Sequence, residues 1–174
     1  GLTITKGPSA GLYGAGTGGV LLFESTTRGK NLNAEAVYHS LGGLKTSIDL
    51  SSNNHRLYAS FNQQEGYRDH SAMKKQWLSY EFHHQFSNEL NLDLNTYYVD
   101  LAYQTPGGLT KAQYVANPTQ ARPASGLFKS AQEQGATFKI KSFGLSAKAA
   151  RVISPAWAWD LSQSVQMNDI ENPT

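Results

Sequence analysis

The sequence has no cysteine among its 174 residues. That excludes a disulfide scaffold, a thiolate zinc site and a thiol nucleophile, and it fits an exported protein as well as a cytosolic one. Charge is sparse: Asp, Glu, Lys and Arg make up 16% of the chain, too little for a solvated tail or a coiled coil. Lys and Arg number 15 against 13 Asp and Glu, for a net charge of +2, and the basic residues are scattered. The electrostatic footprint expected of a nucleic-acid partner is therefore missing. Long apolar runs are missing too. The longest, Val20 to Phe23, falls far short of the roughly 18 residues a membrane-spanning helix needs, so a helical span is excluded and a membrane barrel is not. No helical period is sustained anywhere. There is no charged n-region or apolar h-region at the start: Gly1 lies inside what reads as a strand, and Asn172, Pro173 and Thr174 close the chain abruptly. Both ends read as cut from a longer protein.

What the sequence does have is glycine, aromatic residues and alternation. Gly7, Gly11, Gly14, Gly16, Gly18 and Gly19 crowd the opening segment before the apolar strand Val20 to Phe23. From Asn31 onward apolar and polar residues alternate in segments bounded by Gly, Asn, Ser or Pro, the period of strands with two unlike faces. Leu32, Ala34, Ala36 and Tyr38 alternate with Asn33, Glu35, Val37 and His39; Leu44, Thr46, Ile48 and Leu50 with Lys45, Ser47, Asp49 and Ser51. Leu57, Ala59 and Phe61 lead into a polar excursion from Gln63 to Lys75. Leu78, Tyr80, Phe82, His84 and Phe86 oppose Ser79, Glu81, His83 and Gln85, and Leu90, Leu92, Leu94, Thr96 and Tyr98 oppose Asn91, Asp93, Asn95 and Tyr97. The pattern then slips at Val99, Leu101 and Tyr103, where a β-bulge is expected. Gln104 to about Gly135 reads as an extended loop with a short helix at Lys111 to Val115, and Phe138 to Ile153 as a less regular strand. Trp157, Trp159, Leu161, Val165 and Met167 share a face of the last strand. The chain is thus expected to be all-β, with about seven strands from Asn31 onward.

Loop lengths add an argument. The turns at Ser52, Ser87 and Ser154 are tight, whereas the excursions at Gln63 and Gln104 are long, and short turns at one end with long loops at the other are the habit of an outer-membrane barrel. On that reading Asn91, Asp93, Asn95, Glu81 and Lys45 line a watery lumen while Leu, Ala, Phe and Tyr face lipid. A soluble sandwich produces the same alternation, so the pattern alone leaves both open.

The segment Gly14-x-Gly16-x-x-Gly19 formally satisfies a dinucleotide-binding fingerprint, but that fingerprint needs a helix after it. The residues that follow, Val20 to Phe23, are β-prone and few. Lys6-Gly7-Pro8-Ser9-Ala10-Gly11-Leu12-Tyr13-Gly14 followed by Gly18-Gly19-Val20 instead resembles the end of the plug domain of TonB-dependent outer-membrane receptors. Glu65-Gly66-Tyr67-Arg68-Asp69-His70-Ser71 is similar to the family's second long loop. Gln104-Thr105-Pro106-Gly107-Gly108-Leu109-Thr110 and Gln120-Ala121-Arg122-Pro123-Ala124 are similar to the third loop of a ferric-citrate-type branch. The likeness runs nearly end to end and is strongest over residues 6–20. It implies an all-β chain made of a partial, open antiparallel transmembrane β-barrel with the C-terminal piece of a plug: residues 1–28 close the plug and residues 29–174 begin the barrel. The family's barrel has 22 strands, so most of the plug, its energy-coupling box and most of the barrel are missing from this chain. The resemblance further implies import of a ferric siderophore or ferric citrate-like chelate across the outer membrane of a Gram-negative bacterium. The partners would be outer-membrane lipid and the TonB energy-coupling protein, the latter through absent plug parts. It implies no catalysis and no cofactor.

For sites, the resemblance places Lys6, Gly7, Pro8, Tyr13, Gly14, Gly18 and Gly19 in the structural plug motif and turns Tyr13 toward incoming substrate. Arg68 and Arg122, on long loops, are candidates for drawing in an anionic chelate, against the plainer reading of solvated loop charges. His39, His55, His70, His83 and His84 invite a metal reading, but neighbours on a strand point to opposite faces, so His83 and His84 cannot chelate together. Glu81 and Asp93 could pair for acid–base work, although acids are common in a watery lumen. Trp157 and Trp159 follow a tight turn, as an interfacial aromatic belt would. A passive porin or adhesin barrel and a soluble sugar-binding sandwich are the alternatives.

Overall fold

The computed structural model of the protein describes residues 2–7, 18–23, 29–86 and 90–172. Pro8, Tyr13 and Gly14, and the turn expected at Ser87 to Glu89, lie outside them. Strands β1 (Leu2–Lys6) and β2 (Gly19–Phe23) form a two-stranded antiparallel sheet. That Gly19 opens a strand and not a helix removes the dinucleotide-loop reading. Seven further strands follow: β3 (Asn31–His39), β4 (Gly43–Ser52), β5 (His55–Gln64), β6 (Met73–Gln85), β7 (Leu90–Gln104), β8 (Thr137–Ser154) and β9 (Trp157–Glu171). They pair in sequence order as one antiparallel meander, open at its β3 and β9 edges. Between β7 and β8 lies a short helix, α1 (Lys111–Ala116), close to its expected place. Residues 53–54 and 155–156 make tight turns at one end of the sheet, and residues 65–72 and 105–136 make long connections at the other.

Register turns the alternation into rows. Directly paired residues share a face, so Ala34, Ile48, Ala59, Leu78, Tyr98, Phe143 and Met167 form one row across all seven strands. Leu32, Leu50, Leu57, Tyr80, Thr96, Leu145 and Val165 form the next. The opposite face carries Asn31, Ser51, Arg56, Glu81, Asn95, Ser146 and Ser164 in one row. One face is apolar and the other polar, as the sequence implies.

The expected bulge at Val99 is not there. The β7 strand pairs with β6 and β8 without a break, and the one register shift within these ladders falls between Val152 and Ser154. What changes at Val99 is the chemistry of the faces. Toward the long loops the polar face becomes apolar, with Val99, Leu101, Ile140 and Ile170. The apolar face becomes polar, with Gln76, Asp100, Lys141 and Asp169 in one row. A sequence that exchanges its two faces without inserting a residue looks like a slipped register when read as letters.

Exposure follows the faces in an unusual sense. Val99, Ala121 and Ala131 are the buried apolar side chains among the described residues. Along β8, Ser142 is 6% exposed while its neighbours Phe143 and Leu145 are 39% and 45% exposed. The polar face is the more enclosed one at that level of β8, whereas on β7 the polar-face Asn95 is exposed and Leu92 and Leu94 are half-buried.

The enclosed face also holds a ring-on-glycine contact. Tyr97 pairs directly with Gly144 and stacks on Trp77, with ring centroids 5.6 Å apart and planes 11° from parallel. A Cβ at residue 144 would collide with the Tyr97 ring. Gly144→Leu should therefore cost about 1–3 kcal/mol through overpacking, and adding Tyr97→Ala should recover part of it. Unfolding midpoints of the two single variants and the double variant check this; strict additivity would mean the ring and the glycine are independent.

Candidate ligand-binding site

The long connections, residues 65–72 and 105–136, come together at one end of the sheet, and the side chains of Arg68 and His70 bond across them. Arg68 Nε donates to the Gln120 carbonyl at 3.0 Å and its Nη1 to the Gly107 carbonyl at 2.8 Å. The Asp69 N–H donates to the Thr119 carbonyl at 2.7 Å, and His70 Nε2 to the Ala136 carbonyl at 2.8 Å. Ser71 holds the arginine's own backbone, accepting from the Arg68 N–H at 3.1 Å. A planar cation with several donors suits this role, because peptide carbonyls in a loop have no ladder to satisfy them.

Arg122 lies in the same cluster. Its N–H donates to the Pro106 carbonyl at 2.7 Å, its carbonyl accepts from the Ala131 N–H at 3.0 Å, and its Nη2 donates to Gln134 Oε1 at 2.6 Å. Gly107 has φ +72, and a Cβ there would come within 2.9 Å of Arg122 Cβ, so a side chain at residue 107 would be both strained and crowded. The adjoining segments are locally capped. Thr110 and Gln113 form a capping box at the start of α1. Ser130 donates its N–H and hydroxyl to Glu133 Oε2 at 2.8 and 2.9 Å, which holds the Glu133 carboxyl below its usual range. A lowered folded-state pKa means that this contact supports the turn above the ordinary carboxylate pKa and is lost as pH falls through the lowered one.

Arg68 and Arg122 are thus brought together, with Arg68 Nε and Nη1 holding loop carbonyls and Arg122 Nη2 holding Gln134. The Arg68 Nη2 atom is buried and has no hydrogen-bond partner among the described residues. At the base of the loops, Glu65, Met73, Lys74, Tyr103 and Gln104 help to line a groove of about 400 Å³. Tyr13 lies outside the described residues, so its place relative to this cluster is not part of the geometry.

Of the other sequence candidates, Glu81 and Asp93 share the polar face but answer to different partners. Arg56 binds Asp49 through two bonds, at 3.1 and 2.7 Å, and approaches Glu81 at 3.7 Å. Asp93 is in contact with its paired residue His83. Each acid sits beside a basic neighbour, and the two do not face each other as a general acid and its base would. His83 and His84 do point to opposite faces: His84 Nδ1 accepts from Asn54 Nδ2 at 3.0 Å and its ring packs between Phe82 and Phe86. His55 joins that aromatic group through the Tyr80 hydroxyl at 2.8 Å. Arg56 escaped the sequence reading because nothing in the letters pairs it with Asp49 across a turn until the register is known. Compared with protein-family models, the chain matches none.

Proposed function

We propose that this chain is a segment of a TonB-dependent outer-membrane transporter that takes up a ferric siderophore or a ferric citrate-like chelate. On this reading residues 1–28 end a plug, β3 to β9 cross the bilayer, and the polar face lines an aqueous lumen. The observation that carries the membrane part is the inside-out exposure of β8, where Phe143 and Leu145 stand open on one face while Ser142 and Gly144 are enclosed on the other. A soluble sandwich buries its apolar rows and hydrates its polar ones; a membrane barrel does the reverse.

The dimensions of the apolar band agree. Along β8 the outward face runs from Phe143 to Arg151, roughly 27 Å at about 3.3 Å per residue. Tilted about 40°, that rises roughly 20 Å, near the ≈ 25 Å apolar band of outer-membrane barrels. The band is also oblique to the hydrogen-bonded rows. On β3 and β4 it reaches Tyr38 and Leu44, on β5 Phe61 one row lower, and on β6 to β9 it stops one row lower still, at Leu78, Tyr98, Phe143 and Met167. At the other margin β5 begins at His55, while β8 and β9 continue two rows further, to Arg151 and Trp159. Strands tilted in a planar bilayer need this stagger.

The transport part rests on the resemblance of residues 6–20 to a plug terminus and on the loop cluster. Loops braced by Arg68 and Arg122 would form one wall of a chelate site, and Tyr13 the plug's contribution, with the unpartnered Arg68 Nη2 offering a donor to an anionic ligand. Uptake of radiolabelled ferric citrate and ferric siderophores by cells carrying the full-length protein tests this, with and without the TonB protein. Energy-dependent uptake is expected, and Tyr13→Ala should weaken chelate binding by roughly 1–2 kcal/mol. Diffusive uptake unaffected by loss of TonB would identify a passive barrel instead.

A further inference from the structure

Between the Leu78 row and the short turns, the apolar face of β3 to β9 carries one formally charged side chain among the described residues, Arg151. It pairs directly with Leu90 on one side and Trp159 on the other. The register shift between Val152 and Ser154 follows it immediately and sets Trp157 opposite Ser154. Trp157 and Trp159 are 73% and 41% exposed, and the intervening Ile153 is 60% exposed. The nearest cation along β8, Lys148, lies on the opposite face and pairs with Asp160 at 2.7 Å. No acidic side chain is paired with Arg151 in the ladders, and no salt bridge to it occurs among the described residues.

We infer that Arg151, with Trp157 and Trp159, binds the phosphate of an anionic phospholipid headgroup in the leaflet at the short-turn end. The inference rests on the membrane reading above and adds to it a specific lipid site. A lone guanidinium at the margin of an apolar band needs a counter-charge that no described residue on that face supplies, and its planar fork matches a phosphate in two-bond geometry. Its stem can lie along the apolar surface while the head reaches the interface. Flanking tryptophans place that margin at headgroup depth, and a bulge beside the arginine is a usual way to re-aim side chains at a sheet's end.

The test uses the full-length protein in detergent micelles, titrated with phosphatidylglycerol and read by native mass spectrometry for retained lipid. R151Q should weaken retention about tenfold, the loss of one charge-assisted contact, and R151K should fall between the two. K148Q makes the same charge change on the same strand but on the opposite face, and should leave retention unaltered. Inorganic phosphate in excess should not displace the lipid. Quenching of tryptophan fluorescence by brominated lipid reports membrane contact separately. Quenching with equal retention in R151Q and wild type would overturn the lipid site alone, as would equal losses in R151Q and K148Q or displacement by free phosphate. Absence of quenching would overturn the membrane reading and this site with it.

Discussion

Arginine placed at Leu94 should destabilise the full-length protein in a bilayer by about 2–4 kcal/mol, and arginine at the adjacent Asn95 by about 1 kcal/mol or less. The pair is informative because the two residues are sequence neighbours on one strand and differ in face alone. Leu94 stands in a row with Phe82 and Ala147, midway along the outward band of β7, while Asn95 stands with Glu81 and Ser146 on the polar face. On the proposed membrane reading the new charge at Leu94 would sit in hydrocarbon, whereas at Asn95 it would meet water and the Glu81 carboxylate. Reversible denaturant unfolding from lipid vesicles measures both. Equal penalties would contradict a lipid-facing apolar face, and a larger penalty at Asn95 would favour the soluble sandwich.

Removing the Arg68 side chain should have the second large effect. Arg68→Ala deletes charge-assisted bonds to the Gln120 and Gly107 carbonyls and leaves both acceptors in a loop with no ladder to replace them. Contacts of this kind contribute about 1.5–3 kcal/mol each, and solvent access to a half-buried guanidinium reduces the total to roughly 2–4 kcal/mol. Hydrogen exchange across residues 105–136 should accelerate, and protease cleavage there should become easier, while β3 to β5 stay protected. Arg68→Lys keeps the charge but cannot span both carbonyls, so it should give an intermediate result. If Arg68→Ala weakened chelate binding with loop exchange unchanged, the residue would act on the ligand and not as a brace.

The strands, their two faces and the position of the short helix were legible in the sequence because period-two alternation is a local property of the letters. Leu92 against Asn91, or Ile48 against Asp49, needs no neighbour to be assigned to opposite faces. The same alternation could not say which face is enclosed, because barrels and sandwiches share it; that Phe143 is open beside an enclosed Ser142 is visible only in the tertiary structure. The false bulge at Val99 has the same origin, since a reversal of environment along a strand and an inserted residue look alike until the partners of Val99, Trp77 and Ser142, are known. For the loops the sequence picked out Arg68 and Arg122 by charge and place. Their joint role was invisible because it depends on carbonyls far along the chain, at Gly107 and Gln120, and a backbone acceptor carries no residue-type signal. Composition and period determined the class of structure and its strand faces; long-range register and loop packing, which bring distant backbone groups within hydrogen-bonding distance, decided the site.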